Sequence, residues 1–220
     1  MEFVENERFT EEELVEEMMS HIQLKYGREF INKDISYPDC TWDRPVLCLY
    51  PKDGHSQKDV FAVQRLLKGE KFFLQDTYHG VYYKEDIIED AKKEIDKHLE
   101  SYILCVHSNC EFKNDIDYTK DVFTAASKGA LVPDIRIYLT RGIYDKQFIK
   151  GIFDELVQIF SDKYYGGILR VYTLSETMFK QVNNFNFEER LPSHYDKEYK
   201  EKDDFSVSKM WINKEILIEE

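Results

Sequence analysis

A chain of 220 residues that is 42% hydrophobic and 33% charged can bury a core without metal or disulfide staples. Its 43 acidic against 30 basic residues leave a net charge of -13, which argues against gripping a nucleic-acid backbone or an anionic membrane and turns any partner toward basic or neutral proteins. No run approaches the ~18 apolar residues of a membrane span, and residues 1–17, with eight Glu and one Arg, lack the basic lead and apolar run of a secretory signal, so the sequence predicts a cytoplasmic protein.

The first element follows from Thr10 and Glu13, which are spaced as a capping box, with Leu14, Val15, Met18 and Ile22 recurring at helical intervals up to Tyr26 and Gly27. This predicts a helix over 11–26 whose outer side carries Glu12, Glu13, Glu16 and Glu17. Four strand-like segments follow, "EFINKDISY", "PVLCLYP", "DVFAVQRL" and "KFFLQDTY", and their short Pro, Asp and Gly connections predict an antiparallel meander. "YKEDIIEDAKKEIDKHLESY" places Ile88, Ala91, Ile95, Leu99 and Tyr102 on one helical stripe. A strand, "YILCVH", comes next, and the polar stretch 111–118 marks a division near residue 117.

The second half predicts a short helix at "TKDVFTAASKG" with Thr119 as cap. Then come strand "DIRIYLT", helix "DKQFIKGIFDELVQIFSDKY", strand "YYGGILRVYTL" and a helix capped by Ser175. In the long helix, Phe148, Ile152, Leu156, Ile159 and Phe160 are read as inward. Strand, helix, strand is a βαβ-like unit, and Phe205, Val207 and Trp211 suit a late edge strand. The expected fold is α+β: a mostly antiparallel sheet with two long amphipathic helices, in subdomains 1–117 and 118–220.

The candidates for chemistry are sparse. Cys40, Cys48, Cys105 and Cys110 are spaced Cys-x7-Cys and Cys-x4-Cys, unlike the tight knuckles of structural zinc. Cys48 and Cys105 sit in apolar alternation, where a reduced cysteine packs as a small core residue. Cys110 is read as a turn residue, and His107 as either buried or at a strand's rim. Glu94 and His98, with Asp90 a turn earlier, share a helical face, but neighbouring lysines favour a solvated charged face over a metal site. Asp76 and His79 read as turn residues. No nucleophile elbow, phosphate-cradling glycine loop or zinc-protease motif is present. The expectation is therefore no catalytic residues, no metal and no cofactor.

The segments "HIQLKYGREF" and "FLQDTYHGVYYKEDIIEDAKKEI" resemble a group of uncharacterised proteins of Gram-positive bacteria. In those proteins a helix ends in Lys-Tyr-Gly-x-x-Phe, and an Asp-x-Tyr segment leads into an acidic helix. The resemblance implies no catalytic residues. Several such proteins are exported and lipid-anchored, which is the alternative to a cytoplasmic location should an N-terminal segment be missing.

Tyrosine beside carboxylate is the remaining surface signal, because Tyr gives large contact area at low entropic cost. It singles out Tyr82, Tyr83, Tyr195 and Tyr199 with Glu198, Asp203 and Asp204, together with Glu12, Glu13, Glu16 and Glu17. The sequence thus favours an acidic non-catalytic protein that inhibits or neutralises a partner, as an immunity protein does a toxin. Two alternatives are an anti-defence inhibitor of a phage or mobile element that mimics nucleic-acid charge, and a metal-dependent enzyme using His79, His98 or His107.

Overall fold

The computed structural model describes residues 10–36, 45–56, 59–68, 71–110, 121–127, 131–184 and 206–212. In chain order these form α1 (Glu11–Tyr26), β1 (Phe30–Ser36), β2 (Val46–Pro51), β3 (Phe61–Lys68), β4 (Lys71–Asp76), α2 (Tyr78–Tyr82), α3 (Lys84–Ile95), β5 (Ile103–Cys110), α4 (Val122–Ser127), β6 (Leu131–Thr140), α5 (Lys146–Lys163), β7 (Gly166–Leu174), α6 (Glu176–Asn184) and β8 (Ser206–Ile212). The fold is α+β, with two four-stranded sheets of order β1-β2-β3-β4 and β5-β6-β7-β8. The elements fall into two units, one ending at Tyr78 and the other beginning at His79. The division therefore lies after Tyr78 rather than near residue 117. The reason is β5, which pairs with β6 and takes α3 with it into the second unit.

In the first unit, α1 starts where Thr10 Oγ1 accepts from the Glu13 N–H at 3.3 Å and the Glu13 carboxylate reaches back to the Thr10 N–H at 2.8 Å. It stops at Gly27, whose φ of 63° suits a residue without Cβ. Leu14, Met18 and Ile22 are buried and the helix lies on the β1–β4 meander, touching β1 and β3. All three strand pairings of that meander are antiparallel. Opposite residues share a face, so Leu47 with Val63 and Leu49 with Phe61 build the buried layer. Tyr26, Phe30, Phe61 and Tyr78 close it as an aromatic cluster with centroid spacings of 4.5 to 6.2 Å.

The second unit contains the βαβ unit: β6 and β7 are parallel, a pairing that requires a crossover, here α5. Flanking strands β5 and β8 are both antiparallel to their neighbours, and β8 is the last strand in the sheet order. Ile135, Ile137 and Leu139 on β6 face the helical side, where Ile87, Ala91 and Ile95 of α3 and Ile152, Leu156 and Phe160 of α5 complete the core. Gly167 has a specific steric task, since a Cβ there would lie 2.3 Å from the Trp211 ring. The indole fills that space and donates from Nε1 to the Tyr164 carbonyl at 3.2 Å.

Several side chains depart from the expected pattern. Phe148 is exposed rather than inward. Asp145 caps α5, and Phe148, in the first turn, stacks on Tyr144 at 5.4 Å, so the buried stripe starts one residue later at Ile149. Helix α3 ends at Ile95 and the chain continues as turns, with Leu99 still buried. Ile87, rather than Ile88, occupies the core centre. Cys110 ends a strand, opposite Leu131, instead of lying in a turn.

Candidate functional site

The four carboxylates of α1 divide by what holds them. Glu13 is spent on the capping box, and those hydrogen bonds from Thr10 keep its carboxyl below the usual range. Glu17 lies half-buried with Arg65 at 3.1 Å, and that guanidinium sits 3.6 Å from the centre of the Phe72 ring. Glu12 and Glu16 are exposed on the helix side opposite Leu14 and Met18, as the 3.6-residue repeat dictates.

Tyr82 and Tyr83 take opposite roles. Tyr83 is buried in the second unit's core, whereas Tyr82 is 47% exposed, and the two rings meet edge to face at 4.9 Å. Helical hydrogen bonds continue across the α2–α3 junction, from the Tyr83 N–H to the His79 carbonyl at 3.0 Å and from the Ile87 N–H to the Tyr83 carbonyl at 3.1 Å. Residues three, four and seven apart therefore line one side, which places Tyr82 beside exposed Glu85, Asp86 and Glu89. The ring packing fixes an aromatic contact surface among three carboxylates. Tyr195, Glu198, Tyr199, Asp203 and Asp204 lie outside the described residues.

The carboxylates read from the sequence as a weak metal pair have a different cation. Lys163 Nζ lies 2.7 Å from Asp90 and 3.0 Å from Glu94, and Tyr164 donates to Asp90 at 3.1 Å. Glu94 also pairs with Lys97. The hydrogen bonds from Lys97 and Lys163 hold the Glu94 carboxyl below its ordinary range, while burial, with Asp90 adjacent, pushes the Tyr164 phenol up. His98 Nε2 is 3.6 Å from Glu155. Among the described residues no group of three or more His, Cys, Asp and Glu is placed to hold a metal ion. Asp76, read as a turn residue, is fully buried: it accepts from Lys25 at 2.8 Å, from the Tyr26 hydroxyl at 2.8 Å and from the Tyr78 N–H at 2.9 Å.

A polar constellation that sequence reasoning missed lies on the other side of the second sheet. Asp134, Arg136 and Tyr138 alternate along β6 with the core residues Ile135 and Ile137. In register, Asp134 faces His107 and Ile168, Arg136 faces Cys105 and Arg170, and Tyr138 faces Ile103 and Tyr172. Asp134 is 2% exposed. One of its oxygens, Oδ2, accepts from Arg136 Nε at 3.1 Å and Nη2 at 2.5 Å, while Oδ1 accepts from Arg170 Nε at 3.0 Å. Tyr138 and Tyr172 stack at 5.2 Å with their planes 12° apart, and Met178 and Phe179 of α6 pack against that end. Cys105, half-buried rather than fully core, belongs to the same margin. The available signal was the i, i+2 pair of opposite charges in "DIRIY", which reads equally as a solvent-facing edge.

No protein-family model matches the chain, and no curated protein does. Among solved structures, a DUF5037 family protein from Ruminococcus gnavus, a Gram-positive bacterium, is similar over 93% of this chain and 97% of its own, with a TM-score of 0.52 and 14% identity. At that identity the likeness is one of fold. Among the described residues no helix is long and apolar enough to cross a membrane.

Proposed function

We propose that this chain is an acidic, non-catalytic binding protein that neutralises a basic partner protein, in the manner of an immunity protein against a toxin. The observation that carries the reading is Tyr82, half-exposed and held edge-on by buried Tyr83, beside exposed Glu85, Asp86 and Glu89. An aromatic anchor whose rotamer is already restricted loses little entropy on contact. Carboxylates around it, on a chain of net charge -13, speed the encounter with a basic surface.

The test is affinity purification of the tagged full chain from its native host at low and high salt, with Tyr82→Ala and the double variant Glu85→Lys, Glu89→Lys run alongside. A basic protein should be recovered in stoichiometric amount by the wild type. Its on-rate should fall steeply with ionic strength, by up to roughly 10–1000-fold in strongly steered pairs, and both variants should lose it. An on-rate indifferent to salt, or full recovery by both variants, would overturn the reading.

A further inference from the structure

Two guanidiniums share one carboxylate on the polar side of the second sheet. Asp134 takes Nε and Nη2 of Arg136 but only Nε of Arg170, and Arg136 also reaches the Tyr138 hydroxyl. Among the described residues nothing further engages the two Nη groups of Arg170. The charges of Asp134, Arg136 and Arg170 sum to one net positive. That charge belongs to an otherwise strongly acidic chain, and without the buried Asp134 carboxylate its two partners would repel each other uncompensated.

The geometry has the features of a prepared site. Arg136 and Arg170 are direct partners across parallel strands, ~4.8 Å apart in backbone. Arg136 is held from two directions with its side chain 11% exposed, and Arg170 is 31% exposed and open to an approaching group. Asp134 acts as a splint, holding Arg136 through Nε and Nη2 and tethering Arg170 through Nε, so part of the positioning needed for bidentate pairing is set before a ligand arrives. Beside them, two residues along each strand, lies the Tyr138–Tyr172 stack.

We propose that Arg136 and Arg170, splinted by Asp134, form a site for a monoanionic carboxylate whose apolar or aromatic body rests against Tyr172. Charge selects the monoanion. One carboxylate neutralises the single residual positive charge, whereas a phosphate dianion would overshoot it against the repulsion of the whole chain. The planar fork of an arginine matches a carboxylate oxygen pair. This site is independent of the Tyr82 surface, so either proposal can fail alone.

The experiment is a titration of the 15N-labelled full chain at constant ionic strength, following the side-chain Nε–H signals of Arg136 and Arg170. The probes are benzoate, acetate and inorganic phosphate, then a tripeptide ending in a free C-terminal Phe beside its C-terminal amide. Both Nε signals should move saturably with benzoate and bind acetate more weakly. Arg170→Gln should weaken binding by roughly tenfold or more, as loss of a charge-assisted fork does, and Arg170→Lys, which keeps the charge but not the fork, should fall between. Stronger binding of the free-acid tripeptide than of benzoate would assign a chain terminus, and benzoate alone a small acid. Shifts that follow chloride without saturating, unchanged affinity in Arg170→Gln, or a preference for phosphate over both carboxylates would each overturn the proposal.

Discussion

Asp76 in the first unit and Asp134 in the second are both buried strand aspartates, yet their surroundings balance them in opposite ways. Asp76 meets one cation, Lys25, and two neutral donors. It is neutralised and saturated, and it ties the last turn of α1 to the end of β4. Asp134 meets two cations, so it is outnumbered and the excess is directed outward. A buried carboxylate with one counter-ion fastens a fold, while one with two leaves charge available to something else.

The same conservative change at each position sharpens that contrast. Asp134→Asn should be the more damaging, at about 3–5 kcal/mol, because removing the shared anion leaves two partly desolvated guanidiniums side by side. Asp76→Asn keeps an oxygen for Tyr26 and the Tyr78 N–H and strands one ammonium that is 21% exposed, so about 1–3 kcal/mol is expected. Urea denaturation of the two variants measures both, and equal losses would break the comparison.

A smaller effect comes from Glu94, whose carboxyl is held below its ordinary range by Lys97 and Lys163. Its folded value is depressed, so its contribution is complete above the unfolded value of 4.5 and is lost as pH falls through the folded one. Thermal melts of wild type and Lys163→Met should therefore differ near neutrality, by no more than about 1 kcal/mol for a part-exposed pair, and converge on acidification below that value. A difference that persisted unchanged at low pH would remove the ion pair as its cause.

Much of the architecture was legible because it rests on local chemistry. The capping box and the Leu14, Met18, Ile22 spacing give α1 directly, and "DIRIYLT", the α5 helix and "GILRVYTL" give the parallel pair. What escaped was long-range. Nothing local in "YILCVH" tells whether β5 joins the meander before it or β6 after it, and that choice moves the boundary by some forty residues. The phase of α5 slipped because Phe148 is apolar yet sits in the capped first turn, where Tyr144 can cover it. The Asp134 constellation escaped for a different reason. Alternating Asp and Arg between isoleucines is the pattern of a solvent-facing strand edge, and only the partner strand, which supplies Arg170 in register, turns it into a buried cluster. Tyr82 and Tyr83 were both selected as surface residues, but adjacent positions on a helix point about 100° apart, so one faces water and the other the core.

The close seat of Trp211 over Gly167 also carries information about time. The indole reaches its place only when β8 pairs with β7, and β8 is the final described segment of the chain. Two tryptophans are present, Trp42 and Trp211. In a Trp42→Phe background the emission of Trp211 is therefore a stopwatch for the arrival of the last strand. Its refolding trace dates the pairing of β8 with β7, and comparison with backbone signals tells whether that step coincides with the assembly of β6, α5 and β7 or follows it.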